Sequence, residues 1–191
     1  MKRSVQLFVL CLLAGAAGAA PVVGSGVATT QSRAAAGFHA LALAIPATVE
    51  LRQGATEGVT ITGDDNVVPL VETRVKDGTL EIRWADRATE VRTGKIAIVV
   101  DARSIDAITV GGTGSVHAAS LSTPSLVATL GGAGSINVER LDADALKATI
   151  GGSGTLSAGG RADRLDATLA GSGRLSAAAL QARDAQLALQ G

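Results

Sequence analysis

The chain has no tyrosine, one tryptophan and two phenylalanines in 191 residues. Aromatic side chains ordinarily carry much of a core's buried area and supply the platforms on which sugars stack. Their scarcity argues against a wide globular centre and against a stacking-type carbohydrate module, because Phe38 and Trp84 are the only ones beyond residue 8. A single cysteine, Cys11, excludes an internal disulfide. No charge of one sign dominates: 17 basic residues face 17 acidic ones. Nucleic-acid binding needs a basic stripe, so that class of partner is not expected. The one long apolar run, Val5 to Leu13, falls well short of the roughly 20 residues that cross a bilayer.

That run has a purpose of its own. Lys2 and Arg3 precede it, and Ala17-Gly18-Ala19 follows with the small-x-small pattern read by signal peptidase. Residues 1–19 are expected to be a signal peptide, cut after Ala19, since cutting after Ala20 would place Pro21 directly after the bond. Phe8-Val9-Leu10 before Cys11 lacks the small residue of a lipidation site. The expected location is therefore outside the cytoplasm, in a periplasm or at a cell surface. Residues 20–36, rich in Ala, Gly, Ser and Thr without periodicity, read as a flexible leader.

What the chain does have is glycine, 24 residues of it, and the glycines recur in a phrase. Thr109-Val-Gly-Gly-Thr-Gly-Ser-Val116 returns as Thr129 to Ile136, Thr149 to Leu156 and Thr168 to Leu175, with Gly112, Gly132, Gly152 and Gly171 spaced 20, 20 and 19 apart. A fixed period of this size means one structural unit stacked upon itself. Within the unit Leu126, Leu146 and Leu165 share one position, Leu130, Ile150 and Leu169 another, and Ala128, Ala148 and Ala167 lie between them. Val127, Lys147 and Asp166 alternate with these, as strands with one face inside require. Lys147 and Asp166 are thereby expected to be neighbours on the outside. Each glycine cluster is expected where one short strand bends into the next and positive φ suits glycine. The missing residue of the 19-residue interval is expected within Ser157–Arg161, where Gly160 stands in place of the inward Leu141.

The expected fold is all-β: a right-handed parallel β-helix, or solenoid, with coils of about 20 residues over 96–191. Residues 37–95 are expected to be a preceding N-terminal cap region. There Leu41, Leu43 and Ile45, then Val59 and Ile61, then Leu80, Ile82 and Trp84, alternate with small or polar residues. Asp77-Gly78 between two such runs predicts a hairpin.

Phe38-His39-Ala40-Leu41, the Gly63-Asp64-Asp65-Asn66 turn, Lys76-Asp77-Gly78-Thr79-Leu80 and the recurring Gly-Ser-Gly resemble the family of the putative auto-transporter adhesin, head GIN domain. The resemblance runs over residues 37–191 as a single domain. It implies a right-handed β-helical domain, an adhesin-like role and no catalytic residues. The chain departs from an auto-transporter in having nothing that would form a transmembrane barrel.

Several residues suggest chemistry, and each has a plainer explanation. Gly111-Gly112-Thr113-Gly114 resembles a phosphate-cradling loop, but a strand residue follows and no lysine does. Calcium-binding glycine repeats place aspartate where Ser115, Ser135, Thr155 and Arg174 stand here. Asp64-Asp65-Asn66 is the densest oxygen-ligand cluster and equally a turn sequence. Ser115 and His117 share a strand face as a nucleophile–base pair would, yet Ser135 and Asn137 repeat them as a polar rung without a carboxylate. Thr109, Thr129, Thr149 and Thr168 form an outward ladder of the kind ice-binding solenoids use, but the neighbouring file of Val127, Lys147 and Asp166 spoils it, so β-propensity accounts for the threonines. No catalytic residue, cofactor or metal is therefore expected.

The expected function is a non-enzymatic exported module that binds or scaffolds through its β-helix faces. The alternatives are a lyase-like enzyme acting on acidic polysaccharide, drawing on Asp142, Asp144, Asp163, Arg161, Arg164 and Arg183, or a carbohydrate-binding module. A surface ligand or protein is the expected partner. Ala185 to Gly191 carries neither proline nor charge to blunt a last strand, so this edge is expected to be covered by a second copy of the chain or by further polypeptide.

Overall fold

The structure, a computed structural model, describes residues 21–86, 91–92 and 94–190. The expected signal peptide lies outside them. The described strands are β1 (Val22–Val23), β2 (Ala28–Arg33), β3 (Ala40–Leu43), β4 (Thr48–Gln53), β5 (Gly58–Asp64), β6 (Val71–Lys76), β7 (Thr79–Trp84) and β8 (Val91–Arg92). They continue with β9 (Ala97–Ala102), β10 (Ala107–Val110), β11 (Ser115–Ala118), β12 (Leu121–Leu130), β13 (Ser135–Ile150), β14 (Thr155–Ala170) and β15 (Arg174–Gln190). Residues 28–33, inside the stretch expected to be a flexible leader, form β2 and pair antiparallel with β5.

The 20-residue period is a strand register. Ala107 pairs with Val127, Val127 with Lys147, Lys147 with Asp166 and Asp166 with Gln186, all in parallel. Equivalent side chains therefore stack. Leu126, Leu146 and Leu165 are buried, as are Ala128, Ala148 and Ala167, and Val116, Ile136 and Leu156. Lys147 and Asp166 face outward as neighbours. The shortened interval is absorbed as a bulge, with Glu139 and Arg140 opposite Gly159 alone. Gly160 answers it with φ +99°.

The parallel β-helix solenoid expected from this period is corrected by the strand order. A solenoid stacks each coil on its sequence neighbour. Here β3 lies between β7 and β10, and β4 between β9 and β11, so strands distant in sequence enclose an early layer. Beyond that layer the pairing turns antiparallel, β7 to β6 on one side and β9 to β5 to β2 on the other. Thirteen strands thus form one sheet of mixed pairing. Its path, β2-β5-β9-β4-β11-β13-β12-β10-β3-β7-β6, comes round on itself. Arg33 on β2 bridges the two ends, donating to the carbonyl oxygens of Val68 and Val71 and to Thr73 Oγ1, so that β2 meets β6. The molecule is a nearly closed all-β barrel. Partial burial lowers the pKa of Arg33 below the ordinary arginine value, and the carbonyls it meets satisfy its donors.

The hairpin joining β6 to β7 forms as expected. Asp77 has φ 48° and Gly78 φ 73°, the two left-handed residues of a type I′ turn. The glycine seam differs from expectation. Gly112, Gly132 and Gly152 do not have positive φ; only Gly171, at 136°, does. They are required by close approach instead. A Cβ on Gly132 or Gly152 would fall less than 3.0 Å from the carbonyl oxygen of the glycine one layer earlier, and Gly134 and Gly154 are equally tight.

Gly132→Ala is expected to cost about 1–3 kcal/mol through overpacking. Gly131→Ala, whose Cβ would meet nothing closer than 4.0 Å, is expected to be neutral or stabilising by about 0.4–1 kcal/mol. Equal loss of Tm in both variants would contradict the close-approach explanation. Leu146→Ala is expected to cost about 2–5 kcal/mol and Lys147→Ala less than about 0.5 kcal/mol. Matching urea midpoints would show the strand phase to be wrong.

Candidate functional site

The outward side of the sheet carries two long files, polar on every strand but β9, where Ala97 and Val99 stand. Following the register from β2 through β5, β9, β4, β11, β13 and β14 to β15, the first file reads Thr30, Thr62, Ala97, Thr48, Ser115, Ser135, Thr155 and Arg174. The second reads Ser32, Thr60, Val99, Glu50, His117, Asn137, Ser157 and Ser176. At about 4.8 Å per strand the eight strands span about 34 Å. Side chains within the files bond each other: Thr30 to Thr62 at 2.9 Å, Ser32 to Thr60 at 3.4 Å and Ser115 to Thr48 at 3.4 Å. Glu50 accepts from Arg52 Nε at 2.9 Å, and that bond holds the Glu50 carboxyl below the usual glutamate range. Only the segment over β11, β13, β14 and β15 was legible from the repeat. The rest arrives from strands whose sequence spacing has no common period.

Ser115 and His117 fall in this face, and their bonds are those of a ladder. Ser115 Oγ donates to Thr48, while His117 Nδ1 lies 3.1 Å from Asn137 Nδ2 and its Nε2 3.7 Å from a Glu139 oxygen. The imidazole thus interacts with the next rung, whereas a nucleophile needs its base within hydrogen-bond reach. The glycine loops do not form a phosphate cradle either. Their N–H groups are used between layers, Gly134 donating to Gly112, Gly154 to Gly132 and Ser135 to Gly114. The threonine ladder Thr109, Thr129, Thr149 and Thr168 lies in register on the other side of the glycine bend.

The acidic turn has a clear structural task. Asn66 Oδ1 accepts from the Ser25 amide at 3.0 Å and its Nδ2 donates to the Val23 carbonyl at 2.8 Å. Asp65 accepts from Ser25 Oγ and Asp64 from the Gly26 amide. Asp64-Asp65-Asn66 therefore clamps the segment that leads into β2. Among the described residues no three His, Cys, Asp or Glu side chains converge as a metal-ligand group.

Four charged side chains of the repeat are brought together, as two opposite pairs. Asp142 accepts from Arg161 at 2.7 Å, and Arg183 lies 3.4 Å from Asp163. The Asp142 bond raises the Arg161 pKa above its ordinary value. Sequence inspection overlooked Gln53, Arg103 and Arg140, which meet at one corner of the barrel. The one signal for them was Arg140 following Ser120 by the repeat interval.

The family described as "Putative auto-transporter adhesin, head GIN domain" matches residues 37–191. A putative adhesin from Bacteroides fragilis is similar in structure, with TM-score 0.85 and 25% identity over 89% of this chain and 79% of that one. A putative lipid binding protein from Parabacteroides distasonis has TM-score 0.74 and 20% identity over 89% of this chain and 81% of that one. A putative adhesin from Parabacteroides merdae has TM-score 0.67 and 20% identity over 89% and 80%; these last two share the fold. No curated protein matches. Among the described residues no helix is long and apolar enough to cross a membrane.

The clamp makes a testable claim. Asn66→Ala removes two hydrogen bonds, each worth about 0.5–1.5 kcal/mol, and is expected to speed amide exchange and proteolysis in residues 22–33 while β10 to β14 stay protected. Calcium is expected to leave Tm unchanged. A calcium-dependent rise in Tm that Asp65→Asn abolishes would reassign the turn to cation binding.

Proposed function

We propose, since the chain belongs to the putative auto-transporter adhesin, head GIN domain family, that it is an exported, non-enzymatic binding module of the periplasm or cell surface. The observation that carries this reading is the two-file face spanning eight strands, polar on every strand but β9. A rigid sheet that holds hydroxyls, amides and a few charges at fixed spacing suits recognition of an extended partner, because little side-chain freedom is lost on binding. The similarity to the putative adhesin of B. fragilis is in keeping with it. The lyase-like alternative is disfavoured because Asp142 and Asp163 pair with Arg161 and Arg183, so these groups neutralise one another.

The finer part of the proposal concerns the last strand. Among the described residues β15 pairs with β14 alone, and Leu187 and Leu189 are 62% and 76% exposed. Unpaired backbone groups and apolar side chains on one edge are a template for strand addition. The other end of the sheet is blunted by Glu72, Arg74 and Lys76 on β6, so we propose that a second copy meets β15 edge to edge through its own β15.

Retention on a panel of immobilised neutral glycans and sedimentation over a concentration series test the two parts. Ser115→Lys combined with Ser135→Lys is expected to abolish retention while the circular dichroism spectrum is kept, and Leu189→Glu to abolish dimer formation. Retention unchanged by the double variant would overturn the polar face, and a monomer at every concentration would overturn the edge contact. Release of unsaturated sugars from polygalacturonate would overturn the non-enzymatic reading.

A further inference from the structure

One corner of the barrel holds a groove lined by none of the residues of the polar files. Gln53, at the end of β4, uses its whole amide group to fix that corner. Its Nε2 donates to the carbonyls of Arg103 at 3.2 Å and Ser122 at 3.0 Å, and its Oε1 accepts from the Ser122 amide at 2.8 Å. These three bonds tie β4, the turn after β9 and the start of β12 into one frame. The frame borders a groove of 460 Å³ whose walls include Arg103, Ser120, Ser122, Arg140 and Asp142.

The charges of the groove do not cancel. Asp142 is matched by Arg161 at 2.7 Å. Arg103 donates through Nε to the Ala55 carbonyl at 3.2 Å and lies 3.8 Å from Glu57, which occupies that nitrogen and leaves the rest of its fork. Arg140 makes no hydrogen bond or ion pair with any described residue. It is the cation left over, exposed on the groove wall. A guanidinium fork matches a carboxylate or phosphate through two parallel hydrogen bonds. Ser120 and Ser122 contribute hydroxyls beside it.

The remaining lining separates two sources of such an anion. Leu121 and Leu141 are each only 2% exposed, so the groove offers no apolar side chain to enter a bilayer, as a lipid-surface site requires. Hydroxyl donors beside a free guanidinium instead suit a sugar ring bearing a carboxylate. We propose that this groove binds an acidic sugar residue of a glycan, Arg140 and Arg103 holding the carboxylate and Ser120 and Ser122 the ring hydroxyls. The site is separate from the polar face, so either can fail while the other stands.

Isothermal titration of the protein with trigalacturonate, galactotriose and phosphatidylglycerol vesicles tests it. Trigalacturonate is expected to bind in a salt-sensitive manner and galactotriose at least about tenfold more weakly, as the loss of one charge-assisted pair implies. Arg140→Glu, a substitution of an exposed residue, is expected to weaken trigalacturonate binding about tenfold or more with Tm unchanged. Ser115→Lys with Ser135→Lys is expected to leave it intact. Equal affinity for the acidic and neutral trisaccharides would overturn the proposal, as would undiminished binding by Arg140→Glu. Arg140-dependent binding to the vesicles without binding to trigalacturonate would overturn it in favour of a phosphate headgroup.

Discussion

Backbone meets backbone at the glycine corners, and the rest of the molecule depends on that contact. The carbonyl oxygens of Gly112 and Gly114 sit where side chains of Gly132 and Gly134 would begin, and the same holds one layer on. Because the corners stack so closely, their N–H groups donate to the layer before: Gly131 to Val110, Gly134 to Gly112, Ser135 to Gly114. Every strand leaving the corner is thereby held at one height and one phase. A one-residue slip would turn Leu146 and Ile150 to solvent and Lys147 to the interior. The narrow core of Ala, Val, Leu and Ile follows from that phase, and it explains how a chain so poor in aromatics buries an interior.

The early part of the chain turns this stack into a nearly closed barrel. β3 and β4 provide a layer that accepts strands on both sides, β7 and β9 from one and β10 and β11 from the other. The antiparallel additions β6, β5 and β2 finish that end. Two polar devices secure it: Arg33 joins β2 to β6 through backbone carbonyls, and the Asp64-Asp65-Asn66 turn clamps residues 23–27. Both place charged or polar side chains against backbone groups at a sheet edge. The β15 end has no comparable device among the described residues, and its leucines remain exposed.

The same register that fills the core also organises the outside. Outward positions repeat as faithfully as inward ones, so polar side chains line up into files and opposite charges into pairs. A catalytic group needs a partner in a specific, unrepeated place, whereas Ser115, His117 and Asn137 lie in a repeated rung. The corner at Gln53 breaks the pattern. It combines residues from β4, the turn after β9, β12 and β13, and leaves Arg140 without a counter-charge.

The chain's own letters determined what is periodic: the parallel register of β10 to β15, the inward column at Leu126, Leu146 and Leu165, the bulge within Ser157–Arg161 and the Asp77-Gly78 hairpin. Each depends on local alternation or a fixed interval, which a linear sequence displays directly. The parallel β-helix expectation failed because a period describes only consecutive layers. Nothing in the spacing of Leu41, Leu80 and Ile108 reveals that β3 lies between β7 and β10, since those contacts are set by how whole strands find free sheet edges. The leader's pairing with β5, the closure by Arg33 and the reason for the seam glycines arose in the same way. Gly132 looked like a turn residue, but only the layer beneath it, with a carbonyl where its side chain would be, makes glycine necessary. The groove at Arg140 belongs to this second class, because its walls come from segments up to 89 residues apart in sequence, Gln53 to Asp142, and become neighbours only when the sheet curls round.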